Sequence, residues 1–117
     1  GLARMYLRTT RLVSGRSHLA RLLGALPTAS DYRVQRGHLN YWLAMLYSPS
    51  DGEPQAANYL ERARVQLGEE PLILFRLAQY HRARKNGRIA DGIEAQLAEV
   101  DPNFDARNAR LTCTLGR

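Results

Sequence analysis

Apolar residues recur at helical spacing from the start of the chain. Leu2, Met5, Tyr6, Leu12 and Val13 form one stripe, and Leu19, Leu22, Leu23 and Leu26 form a second, at the steps of three and four that place side chains on one helix face. Ser14-Gly15 falls between the stripes and Ser17 is a good N-cap, so the pattern predicts a helical hairpin whose second helix covers 18–26, with Pro27 past its end. Ser30 caps the next predicted helix, which runs to about Tyr47 and breaks at Ser48-Pro49-Ser50-Asp51-Gly52. Gly37 marks a bend within it, or the join between a linker helix and a repeating unit that follows. Pro54 suits the first turn of a helix that reaches Leu67 and ends at Gly68. Pro71 opens another that reaches about Lys85, Asn86-Gly87 turns the chain, and 89–100 form its partner, closed by Asp101-Pro102. A last helix is expected over 103–115, where Phe104, Ala109 and Leu111 would cover the remaining open face. Every predicted element is helical, and the expected fold class is all-α.

The pattern also repeats. At an offset of 34 residues Leu43 falls on Leu77, Ala44 on Ala78, Ala56 on Ala90 and Ala63 on Leu97, while Tyr41 falls on Phe75 and Tyr47 on His81. Two amphipathic helices per 34 residues resemble the tetratricopeptide repeat. The resemblance divides a single domain, 1–117, into units at 37–70 and 71–104, a degenerate opening unit at 1–36 that keeps Leu7 and Ala20, and a capping helix over 105–117. It implies a right-handed superhelix of antiparallel helix pairs. Ala44, Ala78, Ala56 and Ala90 then occupy the small positions where paired helices approach, with Leu43, Tyr47, Leu60, Leu74, Leu77 and Leu97 filling the space beside them. Gly92 competes with Ala90 for the small position of the last unit.

Composition adds constraints rather than a function. With 44% hydrophobic and 24% charged residues, a chain of 117 residues can bury its own core. A lone cysteine, Cys113, excludes an internal disulfide and favours a reduced compartment, and no apolar run approaches the roughly 18 residues of a membrane span. Those features lead to an expectation of a cytoplasmic protein. The acid-free, arginine-rich stretch before Asp31 also resembles an organelle transit peptide, a reading opposed by the start at Gly1. The net charge of +6 is almost wholly arginine, with Lys85 the single lysine, which suits carboxylate or phosphate pairing but also follows from a GC-rich genome.

Catalytic chemistry finds no foothold. His18, His38 and His81 fall on separate predicted helices without metal-ligand spacing, and the chain has no phosphate loop or nucleophile elbow, so neither a catalytic residue, a metal nor a cofactor is expected. Cys113 reads as incidental, and Trp42 as a packing residue on the outer side of its helix. Glu61 with Arg64, and Glu94 with Ala98, read as a solvated helix face.

The resemblance implies instead a groove lined by the first helix of each unit. Its second, fifth and ninth positions supply Leu2, His38 and Leu72, then Met5, Tyr41 and Phe75, then Thr9, Met45 and Gln79, with Arg82 further along. The Met5-Tyr41-Phe75 ridge suits an apolar or amphipathic segment of another protein, and His38 and Arg82 are the groove residues able to meet an acid. The expected role is a non-enzymatic adaptor or scaffold, of which a secretion-chaperone-like protein is one form. A terminal helix folded across the groove would instead bury these residues as core. The alternative function uses the basic patch Arg82, Arg84, Lys85 and Arg88: an arginine-rich component of a ribonucleoprotein or other large assembly. The same patch also suits a helix C-terminus, where cations are favoured.

Overall fold

The computed structural model describes residues 2–27, 30–107 and 109, with side chains from Ser14 onward apart from that of Ser30. Among these residues the chain is all-helical: α1 (Leu2–Ala25), α2 (Arg33–Leu46), α3 (Pro54–Leu67), α4 (Pro71–Ala83) and α5 (Gly87–Val100), with no strand. Short 3-10 turns at Ser30–Tyr32 and Pro49–Asp51 lead into and out of α2.

Proline and glycine set several boundaries. Pro54 and Pro71 stand at the starts of α3 and α4, where a missing N–H costs nothing because the first turn has no intrahelical acceptor. Gly68 ends α3 with φ of 87°, and its N–H donates to the Arg64 carbonyl. The turn after α4 is different. Lys85, with φ of 61°, takes the left-handed residue, while Asn86 N–H donates to the His81 carbonyl and Lys85 N–H to that of Arg82. That bonding is a Schellman closure, with lysine where glycine is usual. The turn thus comes before Asn86-Gly87, and α5 begins at Gly87 rather than Ile89.

The main packing joins α2 to α3 and α4 to α5. Gly37, early in α2, meets Leu67 at the end of α3, and Tyr47, just past α2, stacks on Tyr59 near the start of α3. Those contacts make α2 and α3 antiparallel. Ala44, Ala56, Ala78 and Ala90 are all buried, together with Leu43, Leu60, Leu74, Leu77 and Leu97. Ala90, not Gly92, holds the small position of α5: Gly92 is exposed, and a methyl group added there would touch nothing. Tyr41, Leu60, Ile73 and Leu77 belong to one core that runs through both pairs.

Three sequence-based expectations are corrected. Ser14-Gly15 does not break the first segment, because α1 is continuous; Gly15 instead lies where an added Cβ would come 3.4 Å from the Leu46 side chain, so it serves close approach to α2. Gly37 is neither a bend nor a join but a buried position inside α2, where an added Cβ would collide with Leu67 Cγ. No helix begins at Asn103. Residues 101–107 form successive turns in which the Asp101 carboxylate accepts from Asn103 N–H and the Asp105 carboxylate from Arg107 N–H. Those side-chain acceptors compete with the helical ladder. Positions 110–115 of the expected helix, and Cys113, lie outside the described residues.

Candidate functional site

The helical arithmetic of α2 places His38, Tyr41, Trp42 and Met45 on one face, at steps of three and four. Leu72 and Arg76 on α4 look onto the same space, and Ala106 and Ala109, from the turns after α5, close part of it. Together they line a groove of about 480 Å³. Its walls come from the first helix of each densely packed pair, which brings residues more than 30 positions apart in the chain to one surface.

Four of the sequence-predicted residues, His38, Tyr41, Met45 and Leu72, line this groove. Tyr41 forms its floor rather than a free ridge, being only 2% exposed and part of the core. Phe75 does not line the groove; it packs against the core, its ring 5.3 Å from that of Phe104. Gln79 accepts a hydrogen bond of 3.0 Å from Arg76 Nη1 and so holds that guanidinium in place. The side chain of Met5 lies outside the described residues, as do those of Leu2 and Thr9.

Two lining residues carry the site beyond those expectations. Trp42 does not pack on an outer face; it is 53% exposed, stands edge-on to the Tyr41 ring at 5.4 Å, and borders the groove. Its position four residues after His38 was the available signal, since both must share a helix face. Arg76 lies 5.4 Å over the Phe75 ring, and its buried Nε has no hydrogen-bond acceptor among the described residues. Ala109 was expected to cover an open face, though from a helix that does not form, whereas Ala106 had no sequence signal, because its place depends on how the turns after α5 fold back.

The basic patch is divided. Arg82 forks to the α5 carboxylates, Nη2 at 2.8 Å from Asp91 and at 2.7 Å from Glu94, with Nε at 2.9 Å from the second Glu94 oxygen. These hydrogen bonds and charges raise the Arg82 pKa further, and the bond from Arg82 holds the Glu94 carboxyl below its ordinary value. Arg82 is thus engaged within the chain, whereas Arg84, Lys85 and Arg88 are exposed around the α4–α5 turn. The stem of Arg84 also packs at Gly52, so part of this residue supports the loop after α2.

Two supposed solvated faces are likewise tied down. Arg64 Nε donates to Glu69 and its Nη2 to Gln96, and Gln96 in turn donates to Glu69, a bridge from α3 to α5. Glu94 belongs to the Arg82 pair. No group of three or more histidine, cysteine or carboxylate side chains among the described residues is placed to hold a metal ion. No helix is long and apolar enough to cross a membrane among those residues.

Compared with protein-family models, with curated proteins and with solved structures, the chain matches none.

Proposed function

We propose that this chain is a tetratricopeptide-like helical-repeat module that holds an apolar or amphipathic segment of another protein in the groove between α2 and α4. The carrying observation is Trp42, an indole more than half exposed at the edge of a recess whose apolar lining includes Tyr41, Met45 and Leu72. A large aromatic side chain left beside a recess can bury substantial area on a partner at little ordering cost, which is why tryptophan is enriched among residues that dominate binding energy. His38 and Arg76 give the groove polar edges that can orient what enters. No bond-making step is assigned to it, and the reading is that of an adaptor or scaffold, with chaperoning of a secreted subunit one form of the same activity. The rival reading, contact with RNA, retains Arg84, Lys85 and Arg88 but loses Arg82 to its own acids.

The test is to identify a partner that co-purifies with the native protein and measure its affinity for wild type and for Trp42→Ala. An anchor of this kind is worth about 2 kcal/mol or more, so the variant should bind about 30-fold more weakly while its far-ultraviolet dichroism stays helical. Unchanged affinity with intact helicity would remove the groove from the account. Tyr41→Ala is unsuitable for this purpose, since Tyr41 is core.

A further inference from the structure

Charge is sorted by helix. The helices α1, α2 and α4 hold nine arginines and no aspartate or glutamate, whereas the helical acids Glu61, Asp91, Glu94 and Glu99 all sit on α3 and α5. Both helices that wall the groove, α2 and α4, belong to the acid-free set, and no carboxylate lines the groove among the described residues. Elsewhere the chain occupies the Nε edge of arginines it holds in place. Arg82 forks Nε and Nη2 to Glu94, Arg64 Nε donates to Glu69, and Arg16 turns Nε and Nη2 to the Leu46 carbonyl. Arg76, in the groove wall, differs. Among the described residues its one hydrogen bond runs from Nη1 to Gln79, a neutral acceptor, and its Nε is closed to water with no acceptor. A guanidinium cut off in part from water and paired with no anion carries a desolvation cost that nothing in the described chain offsets.

We propose that the segment this groove takes is acidic: an apolar stretch of another protein with an aspartate or glutamate side chain that forks to the Nε–Nη2 edge of Arg76, while its apolar neighbours cover Trp42, Met45 and Leu72. This rests on the groove being the binding surface, and it names the chemistry of the ligand. A carboxylate matches that edge with two parallel bonds, as Glu94 already does at Arg82. Only the hydrogen bond to Gln79 has to give for the guanidinium to turn toward an incoming oxygen. With no acid on α2 or α4, neither wall repels a carboxylate, and a basic segment finds no counter-charge there. Nucleic acid is the poorer match, because it brings no apolar side chains to Met45, Leu72, Ala106 and Ala109.

The experiment displays random dodecapeptides on phage, selects them on the immobilised full chain, and keeps those whose binding is lost with Trp42→Ala. The kept peptides should be rich in aspartate or glutamate beside apolar residues. One of them, synthesised, should bind Arg76→Gln at least about tenfold more weakly than wild type; replacing its acid by the matching amide should cost as much on wild type and little further on Arg76→Gln. If Arg76→Gln does not stay helical by dichroism, the peptide exchange on wild type decides alone. Trp42-dependent peptides that lack acids, or whose affinity neither exchange changes, would remove this inference and leave the groove as the binding surface. A random-sequence RNA that binds more tightly than the peptides, and is lost with Trp42→Ala, would overturn it in favour of nucleic acid. Finding no Trp42-dependent peptide at all would remove the groove and this inference together.

Discussion

Lys85 shows how much a single residue's backbone can carry. It closes α4 from the left-handed region, with φ of 61°, where a Cβ crowds the neighbouring carbonyl and glycine does not. Its side chain is exposed, so replacing it removes no core contact. Lys85→Gly should therefore stabilise the protein by about 0.5–1 kcal/mol, the relief of the strained backbone being partly offset by the greater freedom of glycine in the unfolded chain. Urea denaturation would register this as a higher midpoint with an unchanged slope. Gly37 is the converse case. There the missing side chain is needed because Leu67 fills the space, and its buried setting inside α2 could not be read from a lone glycine in a polar stretch.

Pairs of elements are held by more than apolar contact. Leu77 on α4 and Ala90 on α5 are both fully buried, but Arg82 also binds Asp91 and Glu94 across the pair. The bond from Arg82 depresses the Glu94 pKa in the folded chain below its ordinary value of 4.5, so the unfolded chain takes up a proton at a higher pH than the folded one. The contribution is complete above that ordinary value and is lost as the pH falls through the folded pKa. Solvent screens the pair, which keeps the effect small. Glu94→Gln should therefore flatten the acid limb of the stability profile below about pH 4.5, as measured by denaturation at a series of pH values. A profile identical to wild type would mean that the pair adds nothing to stability. Periodicity had already indicated that α4 and α5 pair. It could not indicate this tie, because Arg82 reaches Glu94 across a turn whose geometry depends on Lys85.

Across the whole molecule, α2 to α5 share one core, whereas the main packing of α1 is on α2. Two arginines make that junction. Arg16 donates from Nε and Nη2 to the Leu46 carbonyl, at 3.1 and 2.8 Å, with its guanidinium 4.1 Å from the centre of the Tyr47 ring; at the other end Arg36 donates to the Pro27 carbonyl. Arg16 thus satisfies an acceptor at the C-terminus of α2, where cations are favoured, and stacks on an aromatic face as well. Arg16→Ala should leave the unfolding midpoint of α2 to α5 little changed while amide exchange across α1 speeds up, since local opening is easiest where few buried contacts resist it. Equal acceleration in every helix would show instead that α1 is an integral part of the core.

The periodic spacing of apolar side chains by itself determined that the described residues are helical and where α3 lies; the pairing of α2 with α3 and of α4 with α5, and the alanines it buries, came with the repeat that the spacing resembles. Those properties depend on short-range geometry: every third or fourth residue shares a face, and proline or glycine stops a ladder wherever it occurs. Four of the groove residues were named by the repeat that the pattern resembles, from their positions in its unit. Tertiary structure alone decided that α1 continues through Ser14-Gly15, that Tyr41 belongs to the core, that Arg82 is held by acids of its own chain, and that Phe104 returns to Phe75. Each of these depends on which distant surface fills the space beside a residue, and a one-dimensional pattern does not contain that neighbour.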